Sequence, residues 1–119
     1  MDRGFQTDVV YTDFSKAFDK ISHNILINKL RGIGIHGDLL RWLTSYLHNR
    51  SQAVTIKGFC SSFAPVPSGV PQGSHLGPLL FILYVNDISK IIKHSSILLY
   101  ADDIKLCKRI TSPTDCILL

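Results

Sequence analysis

The sequence has 119 residues, of which 45% are hydrophobic and 18% are charged, and its formal net charge is +4. This length allows one small domain with a packed core, and the basic charge weakly favours an anionic partner such as nucleic acid. The longest apolar run, Leu79 to Val85, is too short to span a bilayer, so we expect no membrane segment.

Cysteine and histidine usage bears on the redox compartment and on metal binding. Cys60, Cys107 and Cys116 are odd in number and include no C-x-x-C pair, so we expect free thiols. The five histidines lack the spacing of zinc ligands, and the N-terminus lacks the apolar core of a signal peptide. These features predict a soluble intracellular chain, in the nucleus or the cytoplasm.

The first half of the chain predicts a strand followed by two helices. Residues 8 to 12 are apolar and β-prone and predict a buried strand that ends at Asp13. Ser22 is placed to cap a helix over residues 23 to 31, which the following glycines end. A second helix is expected from Asp38 to about His48, with apolar residues along one face.

The second half predicts mainly strands around a shaped loop and one more helix. Residues 53 to 57 alternate in polarity and indicate a strand. Residues 58 to 78 hold four of the five prolines and indicate a loop. A third helix is expected from Pro78 to about Ile92, buried in its first half, and a hairpin pairs residues 97 to 100 with residues 104 to 107.

This order of elements predicts an α+β fold with an antiparallel sheet and helices packed on one of its faces. The sequence contains no internal repeat, low-complexity segment or linker. We therefore expect residues 1–119 to form one domain.

Three aspartates are placed to act together. Asp102 and Asp103 lie at the tip of the predicted hairpin, where their mutual repulsion would be offset by a divalent cation. If the strand ending at Asp13 neighbours this hairpin, the three carboxylates converge as in a two-metal phosphoryl-transfer site. Taken singly, the Asp-Asp pair is also typical of a solvated turn, and Asp13 of a helix N-cap.

Three segments in order resemble the central palm motifs of reverse transcriptases, most closely those of non-LTR (LINE-type, jockey-like) retrotransposons. The segments are Tyr11 to Asp19, Ser68 to Ser74 with Leu76 to Phe81, and Tyr100 to Asp103. The residues between them are also similar to this group, whereas an intron-encoded or telomerase-like relative fits the spacing less well. The resemblance implies a polymerase palm-type sheet, incomplete because fingers and thumb are missing.

The resemblance also implies the metal-binding residues of the site. Asp13 and Asp102 match the two metal aspartates, the backbone carbonyl of Phe14 joins Asp13, and Asp103 has a smaller role as their neighbour. The expected cofactor is a pair of Mg²⁺ ions, or Mn²⁺ in their place.

Further residues match the substrate-binding positions of the family. Phe18 stands where the family places a ring under the incoming sugar, which would favour deoxynucleotides because the ring clashes with a 2′-hydroxyl. Gln72 and Gly73 would line the nucleotide and template pocket, and Tyr100 and Ala101 would support the primer end. Phe18 is also compatible with a core position, and Gln72 with an ordinary surface loop. Lys16 and Asp19 match the family pattern too, and we interpret them as structural, in an ion pair or a cap.

The implied function is RNA-directed DNA polymerisation, in which deoxynucleoside triphosphates extend a DNA primer on an RNA template. Fingers, thumb and endonuclease are not found in these residues, so we expect the isolated chain to be an inactive fragment. The alternative is a non-catalytic nucleic-acid-binding or structural remnant of a decayed mobile element. The final Cys116 to Leu119 fits a prenylation box, but we expect it to be ordinary reverse transcriptase sequence entering a helix.

Overall fold

The computed structural model describes residues 4–119, which divide into two compact units. The first unit combines the N-terminal segment through Ser15 with Val85–Leu119, and the second is Lys16–Tyr84. The mixed content of helices and antiparallel sheets confirms the predicted α+β class. The assignment of residues 1–119 to one palm domain stays a prediction.

The elements follow one another in an order close to the predicted one. They are β1 (Gln6–Asp13), α1 (His23–Gly32), α2 (Gly37–Leu47), β2 (Ser51–Gln52), β3 (Thr55–Ile56), β4 (Phe59–Cys60), β5 (Ala64–Pro65), α3 (Leu76–Val85), a 3₁₀ helix (Asn86–Lys90), β6 (Ser96–Tyr100), β7 (Asp103–Ile110) and α4 (Pro113–Ile117). No helix within the described residues is both long and apolar enough to cross a bilayer.

The first unit is built on a three-stranded antiparallel sheet with the order β1-β7-β6. The predicted first strand and the predicted hairpin are both confirmed, with β1 paired to β7 along its whole length. The prediction that the first strand is buried is wrong, because Val9, Val10 and Tyr11 are all exposed. The strand lies at one edge of the sheet, and its apolar residues alternate between two faces.

The second unit holds most of the buried core. Ser22 caps α1 as predicted and accepts a hydrogen bond from the backbone N–H of Ile25 at 3.5 Å. Both α1 and α2 contribute buried leucines along one face, among them Leu30 and Leu47. Of the buried apolar side chains in the described residues, all except Ile104 belong to this unit.

Three predicted boundaries in the middle of the chain differ from the structure. The predicted strand over residues 53–57 shortens to β3, because Lys57 and Gly58 adopt positive φ angles and turn the chain back into β4. The third helix begins at Leu76 and ends as an α-helix at Val85, earlier than predicted. In the polar 3₁₀ segment that follows, the Ser89 hydroxyl donates to the carbonyl of Asn86 at 3.0 Å and competes with helical bonding.

The first half of α3 is only partly buried, contrary to the prediction. Leu80 and Phe81 are buried within the second unit, but Leu79 and Ile82 are half-exposed. Although α3 is apolar on all sides, the described residues therefore do not cover one of these sides.

The N-terminus of α4 is organised by one carboxylate. Asp115 Oδ2 accepts hydrogen bonds from the backbone N–H and hydroxyl groups of Thr111 and Ser112 at 2.8 to 3.1 Å. These donors, chiefly the two from Thr111, hold the pKa of Asp115 well below its ordinary range. Cys116 lies inside this helix, as expected for ordinary sequence that enters a helix.

The α4 cap is expected to be sensitive to acid. Because the folded-state pKa of Asp115 is depressed, the stability that the cap contributes is fully present above the ordinary aspartate pKa of about 3.9 and declines as the pH falls from there toward the depressed folded-state pKa. The free energy of unfolding, measured by urea denaturation from pH 6 to pH 2, should therefore fall more steeply with decreasing pH in the wild type than in Asp115→Asn. An equally steep fall in Asp115→Asn would assign the effect to another group.

Candidate functional site

Two of the three predicted site aspartates lie directly opposite each other in the sheet. Asp13, the last residue of β1, pairs in register with Asp103, the first residue of β7. Residues directly opposite in an antiparallel ladder place their side chains on the same face. The pairing therefore brings two exposed carboxylates together at one end of the sheet, as the sequence predicts if the strands are neighbours.

The third aspartate lies in the turn beside this pair. Tyr100 pairs with Asp103 and closes the hairpin, and Ala101 and Asp102 form its turn, with Ala101 at φ +52°. Asp102 is half-buried, whereas Asp13 and Asp103 are exposed. In residues 4–119, no group of three or more His, Cys, Asp or Glu side chains is arranged to hold a metal ion.

The sheet face that carries the carboxylates also carries a cation beside an aromatic ring. Two residues further from the turn along each strand, Tyr11 pairs with Lys105, and Lys105 pairs with Leu98. Lys105 Nζ lies 5.1 Å from the centre of the Tyr11 ring, and its hydrogen bond to Tyr11 is the main cause that raises its pKa. Lys105 is therefore a stable cation on the same face as Asp13 and Asp103.

A second aromatic–cation pair lies on this face at the far end of the strands. The guanidinium of Arg109 lies 3.2 Å from the centre of the Phe5 ring. Near the turn, Tyr11 is 72% exposed and Tyr100 is 83% exposed, so both rings are open to a ligand. An open groove of about 430 Å³ is lined by residues that include Tyr11, Asp13, Tyr100 and Asp103. Exposed aromatic rings with neighbouring cations are the composition of a surface that binds nucleic acid.

In the second unit, the loop after Val66 is fastened to the segment before α1 by backbone hydrogen bonds. The N–H of Gly69 donates to the carbonyl of Ile21, and the N–H of Val70 donates to the carbonyl of Phe18, both at 2.8 Å. Gly69 has φ +89°, and a Cβ atom there would lie 2.7 Å from the Cα of Asp19. The two segments are thus packed backbone against backbone, which only glycine permits at this position.

A buried histidine adds a further connection to this loop. His23, at the start of α1, bonds through Nε2 to the carbonyl of Gly69 at 2.6 Å, and its ring meets that of His48 edge-on at 5.5 Å. Because a carbonyl only accepts, Nε2 carries the proton. No role for His23 is predicted from the sequence, in which its place at the first turn of a predicted helix is the only signal for one.

The predicted nucleotide-binding residues of the second unit lie on and beside this loop. Gln72 is exposed, and its Nε2 donates to Asp19 Oδ1 at 2.8 Å. Gly73 has φ +75° and open space on its Cβ side. Phe18 is half-buried and stacks on Phe81 with ring centres 4.7 Å apart, which agrees with a core position without excluding a substrate contact.

The predicted site residues therefore fall into two groups, one in each unit. Asp13, Phe14, Tyr100, Ala101, Asp102 and Asp103 belong to the first unit, and Phe18, Gln72 and Gly73 belong to the second. Phe14 directly follows β1 and is exposed. Lys105 is a site residue that we did not predict from the sequence, and it is a cation on the sheet face that carries Asp13 and Asp103. Asp103 and Lys105 are two residues apart on a strand, which places their side chains on the same face, and this spacing was the signal for Lys105.

Comparisons with known proteins agree with this arrangement of motifs. Residues 5–118 match the protein family described as reverse transcriptase (RNA-dependent DNA polymerase). The RNA-directed DNA polymerase from mobile element jockey of Drosophila melanogaster is 35% identical over 78 residues, which are 66% of this chain and 8% of that protein. Its counterpart from Drosophila funebris is 31% identical over 108 residues, which are 85% of this chain and 12% of that protein.

A third relative, the probable RNA-directed DNA polymerase from transposon X-element of Drosophila melanogaster, is 34% identical over 99 residues, which are 80% of this chain and 11% of that protein. The chain thus spans about a tenth of the length of the curated relatives it matches. These matches confirm the predicted resemblance to the polymerases of non-LTR retrotransposons. The chain belongs to the reverse transcriptase family.

Proposed function

We propose that this chain forms the palm-type catalytic centre of an RNA-directed DNA polymerase. Deoxynucleoside triphosphates would be added to the 3′ end of a DNA primer on an RNA template. The observation that carries the proposal is the register of the sheet, in which Asp13 lies opposite Asp103 and next to the turn that holds Asp102. Transfer at a phosphate requires positive charge beside the reacting group, and carboxylates that lie together are the ligands that would hold the divalent cations supplying this charge.

The donor chemistry of these residues fits a hard divalent cation. Mg²⁺ prefers oxygen ligands and is usually held by one or two carboxylates together with the phosphates of the substrate. Asp13 and Asp103 supply two exposed carboxylates on one face, and we propose that Asp102 and the backbone carbonyl of Phe14 complete the set. Reverse transcriptases use divalent metal ions, and ions held by these residues would supply the positive charge that the transfer of a nucleotide requires.

The other residues on the sheet face that carries Asp13 and Asp103 would hold the primer. Lys105 and Arg109 are two cations on this face, each beside an aromatic ring. Cations of this kind bind phosphates, and exposed rings such as Tyr100 support a base or a sugar by stacking. We propose that Tyr100 and Ala101 support the primer end, and that Phe18, Gln72 and Gly73 bind the incoming nucleotide.

The proposal is tested by primer extension on an RNA template, with this chain joined to its native flanking sequence. That context is needed because the matches cover so little of each relative. We expect extension with deoxynucleotides in the presence of Mg²⁺ or Mn²⁺ and none after chelation. A folded protein that binds template and primer but does not extend would instead support the non-catalytic remnant. We further propose an intracellular location, with which the three free cysteines agree.

Phe18 is expected to control the choice of sugar. Phe18→Ala should lower the preference for deoxynucleotides over ribonucleotides by about tenfold or more, because removal of the ring makes room for a 2′-hydroxyl. Competition between the two nucleotides in primer extension measures the ratio. Phe18→Tyr keeps the ring and should keep the preference. An unchanged ratio in Phe18→Ala would mean that Phe18 does not select the sugar and only stacks on Phe81.

A further inference from the structure

We propose that Asp19 is a positioning residue that fixes the amide of Gln72 for the incoming nucleotide. The inference rests on the proposed function, because it assumes that Gln72 binds nucleotide. The central observation is the hydrogen bond of 2.8 Å from Gln72 Nε2 to Asp19 Oδ1, which joins residues 53 positions apart in the chain.

The bond sets the orientation of the Gln72 amide by chemistry alone. An ionised carboxylate only accepts hydrogen bonds, whereas an amide has a donating and an accepting end. Asp19 therefore selects the nitrogen end of the amide and turns Oε1 away from itself. One acceptor and one remaining N–H of Gln72 are then held in a fixed direction for a ligand.

Asp19 is well placed for this task because its backbone is fixed to the same loop. The Ser68 hydroxyl donates to the Asp19 carbonyl at 2.8 Å, and the N–H of Asp19 donates to the carbonyl of Lys16 at 3.0 Å. The close approach of Gly69 to the Asp19 Cα leaves no room for the segment to shift toward the loop. The carboxylate is thus carried by a rigid base, which is the requirement for a residue that acts through another.

The charge of Asp19 also calls for an explanation. Asp19 and Gln72 both line an open pocket of about 440 Å³, which Arg50 lines as well. A carboxylate near a triphosphate weakens nucleotide binding by repulsion, so we expect Asp19 to make a favourable contribution that outweighs this repulsion. The orientation of the Gln72 amide by Asp19 is such a contribution.

A double-mutant cycle in primer extension tests the inference in the protein with its flanking sequence. Asp19→Ala should raise KM for the deoxynucleotide about fivefold, as for an exposed charge-assisted hydrogen bond, with a smaller change in kcat. Gln72→Ala should raise KM at least as much. Adding Asp19→Ala to Gln72→Ala should have no further effect, since Asp19 then has no amide to orient.

Two further variants separate positioning from a structural role. Asp19→Asn keeps the size of the side chain but offers a donor as well as an acceptor, so it no longer selects one end of the Gln72 amide and its KM should rise toward that of Asp19→Ala. Asp38→Ala removes an exposed carboxylate of α2 whose ion-pair partner is Arg41, and it should leave KM unchanged. An Asp19→Ala effect that persists in full in the Gln72→Ala background would show a structural role and overturn the inference.

The outcomes also distinguish this inference from the proposed function. An active wild type with a KM that does not respond to Asp19→Ala overturns the inference and leaves the polymerase proposal standing. A folded wild type that does not extend a primer overturns both together.

Discussion

Asp13→Asn should lower the rate of primer extension by about a thousandfold or more while the protein stays folded. The substitution keeps the size of the side chain and removes the charge that faces Asp103 across the sheet. Stabilisation of phosphate charge by a bound cation amounts to several kcal/mol, and each 1.4 kcal/mol is about tenfold in rate. Asp102→Asn should have an effect of the same order, and Asp103→Asn a smaller one.

Single-turnover extension at saturating nucleotide measures the effect, with circular dichroism as the check on folding. Asp8→Asn is the matched control, because Asp8 lies on the same strand but an odd number of residues away, on the opposite face. Its rate should stay within about twofold of the wild type. If Asp13→Asn and Asp8→Asn lose activity equally, the effect lies in the strand as a whole and the carboxylate site is not supported.

The first unit could be predicted well because its signals are local. The apolar run before Asp13 and the two β-prone runs around Asp102 each predict a strand without knowledge of the rest of the fold. That Asp13 lies opposite Asp103 depends in addition on the register of the two strands, which only the structure gives. Burial could not be predicted in this way, since it depends on what covers Val10 and Tyr11 rather than on the run itself.

The second unit was harder to predict because its decisive contacts join distant segments. Nothing local in the residues around Asp19 indicates that its partner is Gln72, so from the sequence alone we interpret Asp19 as part of an ion pair or a cap. The glycines of the loop were visible as loop residues. Only the structure distinguishes Gly69, which touches another backbone, from Gly73, which faces open space.

This difference between the two glycines leads to the second large effect. Gly69→Ala should lower the free energy of unfolding by about 2 to 4 kcal/mol. About 1 kcal/mol or more comes from a left-handed backbone at an alanine, and the rest comes from overpacking against Asp19. The three colliding neighbours, the Asp19 Cα and the carbonyl oxygens of Phe18 and Asp19, are backbone atoms at 2.7 to 2.8 Å, so rotation of a side chain cannot relieve the collision.

Urea unfolding followed by circular dichroism measures the change, and Gly73→Ala is the control. Gly73 also has a positive φ, but a Cβ atom there would meet nothing within 4 Å. The free energy of unfolding of Gly73→Ala should therefore fall by only about 1 kcal/mol, which is the cost of the backbone strain. The difference between the two variants isolates the contact between loop and segment, on which the orientation of Gln72 by Asp19 depends. Equal losses in the two variants would mean that the close packing of Gly69 contributes nothing to stability.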